Sequence, residues 1–184
     1  MNDLGNLKFN STQFNVEETH IYGILEGSNT MTWDVGIFPP GEENYIMLNS
    51  FSLHKQIFNP KLLSAYKIFA NNKMDDLYGH TVYVDGNERF LENINVEFGD
   101  WDSEGQKISI IGKGLIMNEE ELNLPEVEFT FETDLVFKGL NIFETTITET
   151  EKFIQDKLKM SKNELEIIYE DVPSGFRALI NGPF

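Results

Sequence analysis

The sequence predicts an α+β fold of mostly antiparallel β-sheet, built as one large sheet or a sandwich with two helices and a C-terminal hairpin. Three observations predict this class. Apolar and polar residues alternate with a period of two through most of the 184 residues, which is typical of half-buried strands. Two short segments carry helix-start signals. Most connections between predicted strands are too short for parallel crossovers, and the length suits one domain, 1–184.

The N-terminal part is predicted to form a hairpin and a third strand. On the first strand, Ile21, Gly23 and Leu25 share one face, since alternate residues of a strand point the same way. The residues that alternate on the second strand are Met31, Trp33, Val35 and Ile37. Ser28 and Asn29 are residue types that favour a turn between the two strands. Residues 45–53 form the next predicted strand.

The first predicted helix covers residues 60–71. Asn59 is a favourable N-cap, and Pro60 suits the first helical position. The apolar residues that follow at helical spacing are Leu62, Leu63, Tyr66, Phe69 and Ala70. The chain then returns to strands at 80–84, 94–98, 107–117 and 127–137, with turns predicted at 85–86 and 102–105.

The second predicted helix covers residues 148–160. Thr148 with Glu151 three residues later has the pattern of a capping box. Phe153, Ile154 and Leu158 are its expected buried stripe. The C-terminal hairpin is predicted from strands at 165–169 and 176–180 around a turn at 172–175. The final residue, Phe184, is expected to fray or to contact a neighbouring molecule.

The composition limits the kinds of partner and location. The formal net charge is −17, and residues 81–184 carry 22 of the 31 acidic but only 9 of the 14 basic residues. Such a field attracts basic proteins and repels nucleic acid and anionic lipid. The absence of cysteine excludes disulfides and thiolate metal sites. The chain has no apolar run near 18 residues and no signal-like N-terminus, so a cytoplasmic location without membrane association is expected.

Residues 100–105 resemble the opening of a calcium-binding loop, because Asp100, Asp102 and Glu104 alternate before Gly105. A calcium loop of this type ends in glutamate at its twelfth position, where this chain has Ile111. A hairpin turn explains the same residue types. Trp101 stands among these acids and is a candidate interface anchor. No metal or cofactor is assigned from this segment.

The strand around residues 126–134 has acidic residues on one face. Glu126, Glu128, Glu132 and Asp134 share that face by strand parity, while Phe129 and its apolar neighbours share the other. Repeated like charge on one face is unfavourable unless a neighbouring strand supplies cations, such as Lys107 or Lys113. The face is therefore either a solvated surface or a surface for a basic partner. Gly112 and Gly114 are interpreted as a bulge or a close backbone approach within a strand.

The functional hypothesis is an acidic protein-binding module, such as a cytoplasmic inhibitor or immunity-type protein that neutralises a basic partner, for example a nuclease. Its predicted partner-binding residues are Asp100, Trp101, Asp102, Glu104, Glu126, Glu128, Glu132 and Asp134. One alternative is a β-sandwich enzyme or a carrier of calcium or a small ligand that uses carboxylates. Another is a structural module that assembles with copies of itself through edge strands. Catalysis is less expected than binding, because no nucleophile elbow or histidine metal spacing is present.

Overall fold

The structure is a computed structural model that describes residues 4–26, 30–41, 43–52, 57–70, 80–116, 125–143, 145–172 and 175–184. The predicted turn at residues 28–29 lies outside these ranges. The strands among the described residues are β1 (Gly5–Phe9), β2 (Thr12–Asn15), β3 (Glu18–Glu26), β4 (Thr30–Phe38), β5 (Tyr45–Ser52), β6 (Lys67–Ala70), β7 (His80–Val84), β8 (Asn87–Asp102), β9 (Lys107–Ile116), β10 (Val127–Phe143), β11 (Glu166–Val172) and β12 (Gly175–Asn181). Helix α1 (Ile147–Phe153) continues into a π-helical turn (Ile154–Leu158), and 3₁₀ turns occur at Pro60–Leu63 and Lys162–Glu164.

Two long strands organise the sheet, because each pairs with different neighbours along its length. The first part of β10 pairs with β1 and β9, and its last part pairs with β3 and β12. Likewise, β8 pairs first with β7 and then with β6 and β9. Pairing therefore runs in a closed circuit through β10, β3, β4, β5, β7, β8 and β9. We call β2–β1–β10–β9–β8–β6 the front sheet and β11–β12–β10–β3–β4–β5–β7–β8 the back sheet.

The predominance of β-sheet is confirmed, and most pairs are antiparallel as predicted. The exception is β3, which runs parallel to β10 over the register that joins Ile21 to Phe137 and Leu25 to Ile142. The result is a curled, mixed sheet rather than an antiparallel one. Residues about 115 positions apart in sequence meet along this pair, so no local pattern of alternation indicates it.

The core lies against the inner faces of both sheets, where one apolar cluster contains residues from every long strand. The predicted buried face of β4 is confirmed, since Met31, Trp33, Val35 and Ile37 are at most 1% exposed. Phe98 and Phe129 bring large rings to the cluster from the front sheet. Phe184 was expected to fray or to contact a neighbouring molecule, but it is buried within this chain and packs edge-on against Phe137 with 5.0 Å between ring centroids.

Two glycines of β9 make room for two phenylalanines of β10. Gly112 faces Phe131 and Gly114 faces Phe129 across the antiparallel pair. A Cβ atom at Gly114 would lie 2.7 Å from the Phe129 ring, and one at Gly112 would overlap the Phe131 ring. A bulge or a close backbone approach was expected at these glycines, but the nearest groups are aromatic side chains of the neighbouring strand, and backbone is among the nearest atoms at Gly114 alone of the two, where the Asn93 carbonyl oxygen would lie 3.0 Å from a Cβ atom.

The helix predicted at residues 60–71 is wrong beyond its first turn. Asn59 does accept a hydrogen bond from the Lys61 amide, as an N-cap should, but the 3₁₀ turn ends at Leu63. Ala65 then takes a positive φ of 62°, and its amide donates to the carbonyl of Phe98 on β8. The chain continues as β6, paired with β8. Tertiary pairing has overridden the helical spacing of the apolar residues.

The second helix forms about where it was predicted, but it begins earlier. Its capping box is made by Thr146 and Glu149, two residues before the predicted pair. The predicted stripe of Phe153, Ile154 and Leu158 is buried. The C-terminal hairpin of β11 and β12 is confirmed over seven paired residues. Within the described residues, no helix combines the length and the apolar character needed to cross a bilayer.

The bend in β10 depends on Gly139. The register with β3 shifts between Phe137 and Leu140, and Gly139 has a φ of 109°, which side-chain-bearing residues rarely adopt. A Cβ atom here would overlap the Asn181 side-chain oxygen and lie 2.7 Å from the Ile180 carbonyl oxygen. Both the dihedral angle and the crowding from β12 therefore require glycine at the point where β10 passes between the sheets.

We expect Gly139→Ala to lower the free energy of unfolding by about 2–4 kcal/mol, since strain at a positive φ alone costs about 1–3 kcal/mol. Gly86→Ala is the matched control, because Gly86 also has a positive φ of 75° but has open space around its Cβ position. Urea denaturation of both variants measures the difference. A Gly139→Ala penalty no larger than that of Gly86→Ala would show that β12 does not confine this position.

Candidate functional site

The outer face of the front sheet forms a groove in two continuous parts, with volumes of about 480 and 430 Å³. Strand parity turns the polar residues of β1, β8, β9 and β10 toward this groove, while their apolar neighbours face the core. Register places the groove residues in three rows across the strands. The first row contains Lys8, Thr130 and Lys113, the second contains Asn6, Glu132, Ile111 and Glu97, and the third contains Asp134 and Ser109.

One half of the groove carries two lysines, and we call it the lysine half. Lys8 of β1 and Lys113 of β9 lie directly opposite Thr130 of β10, one on each side of it. Both lysines are exposed, and neither makes an ion pair with another described residue. Nearby, Gln13 donates a 2.7 Å hydrogen bond to the Asn6 side-chain oxygen. This half therefore combines two cations with amides, and two glutamates border it.

The other half carries carboxylates, and we call it the acidic half. Glu132 and Asp134 are exposed on the same face of β10, and neither forms an ion pair among the residues that the structure describes. Glu97 lies two strands away in the row of Glu132, and its carboxylate accepts a 2.7 Å bond from Lys67. Because both side chains of this ion pair are half exposed to solvent, the pair contributes little to the stability of the fold.

Small residues form the floor of the acidic half. Ser109 of β9 lies opposite Asp134, and Gly99 of β8 lies against Ser109. A Cβ atom at Gly99 would overlap the Ser109 hydroxyl oxygen. The absence of a side chain at Gly99 therefore keeps this part of the sheet surface low between the flanking carboxylates.

An exposed isoleucine lies where the two halves meet. Ile111 is 56% exposed, between Glu132 on β10 and Glu97 on β8. The preceding residue, Ile110, points to the other face of the strand and is fully buried in the core. A large apolar side chain on a polar sheet face offers contact area to a binding partner, and it is flanked here by charges of both signs.

Of the predicted partner-binding residues, the groove contains two, Glu132 and Asp134. Glu126 and Glu128 are exposed but lie outside the groove, with Glu128 near the start of β10 and Glu126 just before that strand. Glu128 and Asp134 are six residues apart, which corresponds to about 20 Å along a strand. The acidic face of β10 is therefore extended, and Lys113 and Lys8 flank its middle rather than facing the glutamates directly.

Residues 100–104 form the end of the β8–β9 hairpin and do not line the groove. Asp102 accepts a 3.0 Å hydrogen bond from the Glu104 amide, which stabilises the turn that was one interpretation of this segment. Asp100, Asp102 and Glu104 are exposed. Trp101, the candidate interface anchor, is half-buried and packs edge-on against Phe137 at 5.9 Å between ring centroids.

The described residues contain no group of three or more histidine, aspartate or glutamate side chains arranged to hold a metal ion.

The groove also contains residues that the sequence did not suggest. Three of them are Asn6, Lys8 and Glu97, which lie on strands that pair with β10 directly or through β9. Their proximity to β10 results from the order of strands in the sheet and not from any local motif. Ile111 did give a local signal. It shares strand parity with Lys107, Ser109 and Lys113, so it is an apolar residue on an otherwise polar strand face.

A separate stripe of aromatic rings crosses the outer face of the back sheet. The rings of Tyr22, His20, Phe38, Tyr45 and Tyr83 follow one another across β3, β4, β5 and β7, at centroid spacings of 4.3–5.5 Å. His20 lies over Gly36, where a Cβ atom would come within 2.6 Å of its Nε2. All five rings are half-buried, so the stripe stabilises the face through stacking.

Burial perturbs two ionisable groups in this stripe. It lowers the pKa of His20, although Glu18 and Asp34 oppose the shift and Lys138 adds to it. Burial also raises the pKa of Tyr22 to about 12, with further contributions from the charge of Asp34 and from the hydrogen bond that the tyrosine hydroxyl donates to it. The neutral forms of both side chains are therefore favoured in the folded protein.

No family model, curated protein or solved structure matches this chain.

We expect His20 to make stability depend on pH. Its folded pKa lies below the unfolded value of 6.5, so its contribution is fully present above that pH and is lost as the pH falls through the folded pKa. Urea denaturation from pH 7.5 to 5.0 measures the loss. His20→Gln cannot titrate and should lose less stability over this range than the wild type. Equal losses in the two proteins would contradict the assignment.

Proposed function

We propose that this protein is a protein-binding module whose groove on the front sheet holds a basic side chain of a protein partner in its acidic half. The observation that supports this most directly is the pairing of two exposed carboxylates, Glu132 and Asp134, beside the exposed Ile111. Neither carboxylate is engaged by a cation among the described residues. A partner can therefore supply the missing positive charge without breaking an existing pair.

The spacing of these groups suits an arginine. Glu132 and Asp134 are two residues apart on one strand face, which places their Cα atoms about 7 Å apart. A planar guanidinium between them can donate to both carboxylates, and such charge-assisted bonds are the strong ones in protein interfaces. The aliphatic stem of the same side chain can then lie on Ile111 while its charged end stays among the carboxylates.

The lysine half supports selectivity beyond simple attraction to negative charge. Lys8 and Lys113 lie one row from Glu132, which is again about 7 Å along the strand direction. A partner segment that carries a basic and an acidic group at this separation satisfies both halves. A uniformly basic segment meets repulsion from the two lysines, so the groove distinguishes partners by charge pattern as well as by net charge.

The overall charge favours a basic partner protein over nucleic acid. A net charge of −17 speeds the approach of a basic protein and repels a polyanion. We propose further that the module inhibits its partner, for example a cytoplasmic nuclease. It would do so by covering the surface of the partner that otherwise binds phosphate groups. In that case Glu132 and Asp134 take the place of phosphate groups.

The double variant Glu132→Gln/Asp134→Asn should bind an arginine-containing peptide at least tenfold more weakly than the wild type. Removing both charges eliminates two charge-assisted bonds, and a tenfold change corresponds to about 1.4 kcal/mol. The probe is a labelled peptide with one arginine and one glutamate two residues apart, and fluorescence anisotropy measures its Kd at 50 and 150 mM salt.

The matched control for this experiment is Glu17→Gln/Glu88→Gln, which removes the same charge from exposed positions outside the groove. We expect less than a twofold change in Kd for that protein. If both double variants weaken binding equally, the effect comes from the general field of the molecule, and the groove is not the binding site.

Ile111→Thr tests the apolar contact separately from charge. Threonine keeps the β-branched shape that strands favour, so the free energy of unfolding should change by no more than about 0.5 kcal/mol. Binding of the same peptide should weaken several-fold, because the arginine stem loses its apolar support. Ile147→Thr, at a 53% exposed position on α1, is the control. Unchanged binding by Ile111→Thr would exclude this residue from the site.

A further inference from the structure

Strand β11 is an edge of the back sheet. It pairs with β12 from Glu166 to Val172 without a register shift, and no described strand pairs with its other side. In an antiparallel pair, alternate residues direct their backbone N–H and C=O groups away from the partner strand. About half of the seven residues of β11 therefore present backbone donors and acceptors to whatever lies beyond this edge.

The other described edges are better protected than β11. Strand β2 has four residues, and β6 has four residues of which one is Lys67. Short length and lysine both discourage the addition of another strand. In contrast, β11 has seven residues in regular register and contains neither lysine nor proline. It is the described edge that is best suited to pair with an added strand.

The two faces of β11 indicate what kind of strand fits beside it. Ile167 and Tyr169 pack against the core on the inner face. On the outer face, Ile168 is 42% exposed between Glu166 and Glu170. Glu170 is paired with Arg177 of β12, whereas Glu166 forms no ion pair among the described residues.

We propose that β11 binds an extended segment of a basic protein, which adds to the back sheet as a further strand. Main-chain hydrogen bonds along the edge would supply affinity, and alternate basic and apolar side chains would match the two faces of β11. The negative charge of β11 favours a segment of a basic protein over a second copy of β11. A second copy of β11 would bring another set of Glu166, Glu170 and Asp171 beside the first, and like charges across a strand pair are destabilising.

This surface goes beyond the proposed groove and does not depend on it. The groove lies on the outer face of the front sheet, whereas β11 is joined to β10 through β12 on the back sheet. Substitutions in the groove and at the edge should therefore have separable effects on binding.

The test uses an octapeptide of alternating lysine and valine, with a lysine–proline octapeptide as the charge-matched control that cannot form a strand ladder. Hydrogen–deuterium exchange follows the amides of β11 in the wild-type protein. In the free protein, we expect the outward amides to exchange rapidly. Saturation with the lysine–valine peptide should slow them at least tenfold, and the lysine–proline peptide should not.

Ile168→Lys provides the second measurement, because it places a repelling cation on the edge. It should weaken binding of the lysine–valine peptide at least tenfold. Ile147→Lys adds the same charge at another exposed isoleucine and should change the Kd less than threefold. The Glu132→Gln/Asp134→Asn protein should retain protection of β11, which separates failure of this proposal from failure of the groove.

Four outcomes would overturn the proposal. The first is protection of the outward β11 amides in the free protein, which would show that the edge is already covered. The second is peptide binding without added protection of β11, and the third is equal weakening of binding by Ile168→Lys and Ile147→Lys. The fourth is concentration-dependent self-association of the wild type in light scattering that Ile168→Lys abolishes, which would assign the edge to a second copy of this chain.

Discussion

Strands β8 and β10 each serve two sheets, and the rest of the fold depends on this sharing. The first part of β10 lies between β1 and β9, and its last part lies between β3 and β12. The change of partners occurs at Gly139, where a positive φ and a register shift redirect the strand. Because both sheets contain β8 and β10, the two inner faces are held against each other, and an apolar core of described residues fills the space between them.

The same arrangement produces the groove. Aromatic residues of β10 face inward, where Gly112 and Gly114 of β9 accommodate the rings of Phe131 and Phe129. Strand parity then forces the intervening residues of β10 outward. Acidic and neutral polar side chains occupy those outward positions, with lysines on the adjacent strands. The charge pattern on the outer surface is thus a direct consequence of how the core is packed on the opposite side of the same strands.

Features that repeat along one strand were predictable, whereas features that depend on distant pairing were not. The buried face of β4 and the acidic face of β10 follow from alternation alone. The parallel pair of β3 and β10 does not, because its members are more than one hundred residues apart. The helix predicted after Asn59 is wrong for a related reason, because residues 67–70 form a strand that pairs with β8. Lys8 and Glu97 line the groove because the same order of strands brings β1 and β8 next to β10 and β9.

The parallel pairing of β3 with β10 has a consequence for how the chain reaches its native state. A hydrogen bond such as that from the Thr19 hydroxyl to the Asp134 carbonyl spans 115 residues. Ordering so long a segment before the contact forms has a large entropic cost, and topologies dominated by distant contacts fold slowly. During synthesis on the ribosome, strands β3 and β4 emerge well before β10. Until β10 is made, the edge of β3 that will pair with it stays unpaired. A chaperone that shields that edge should therefore raise the yield of folded protein.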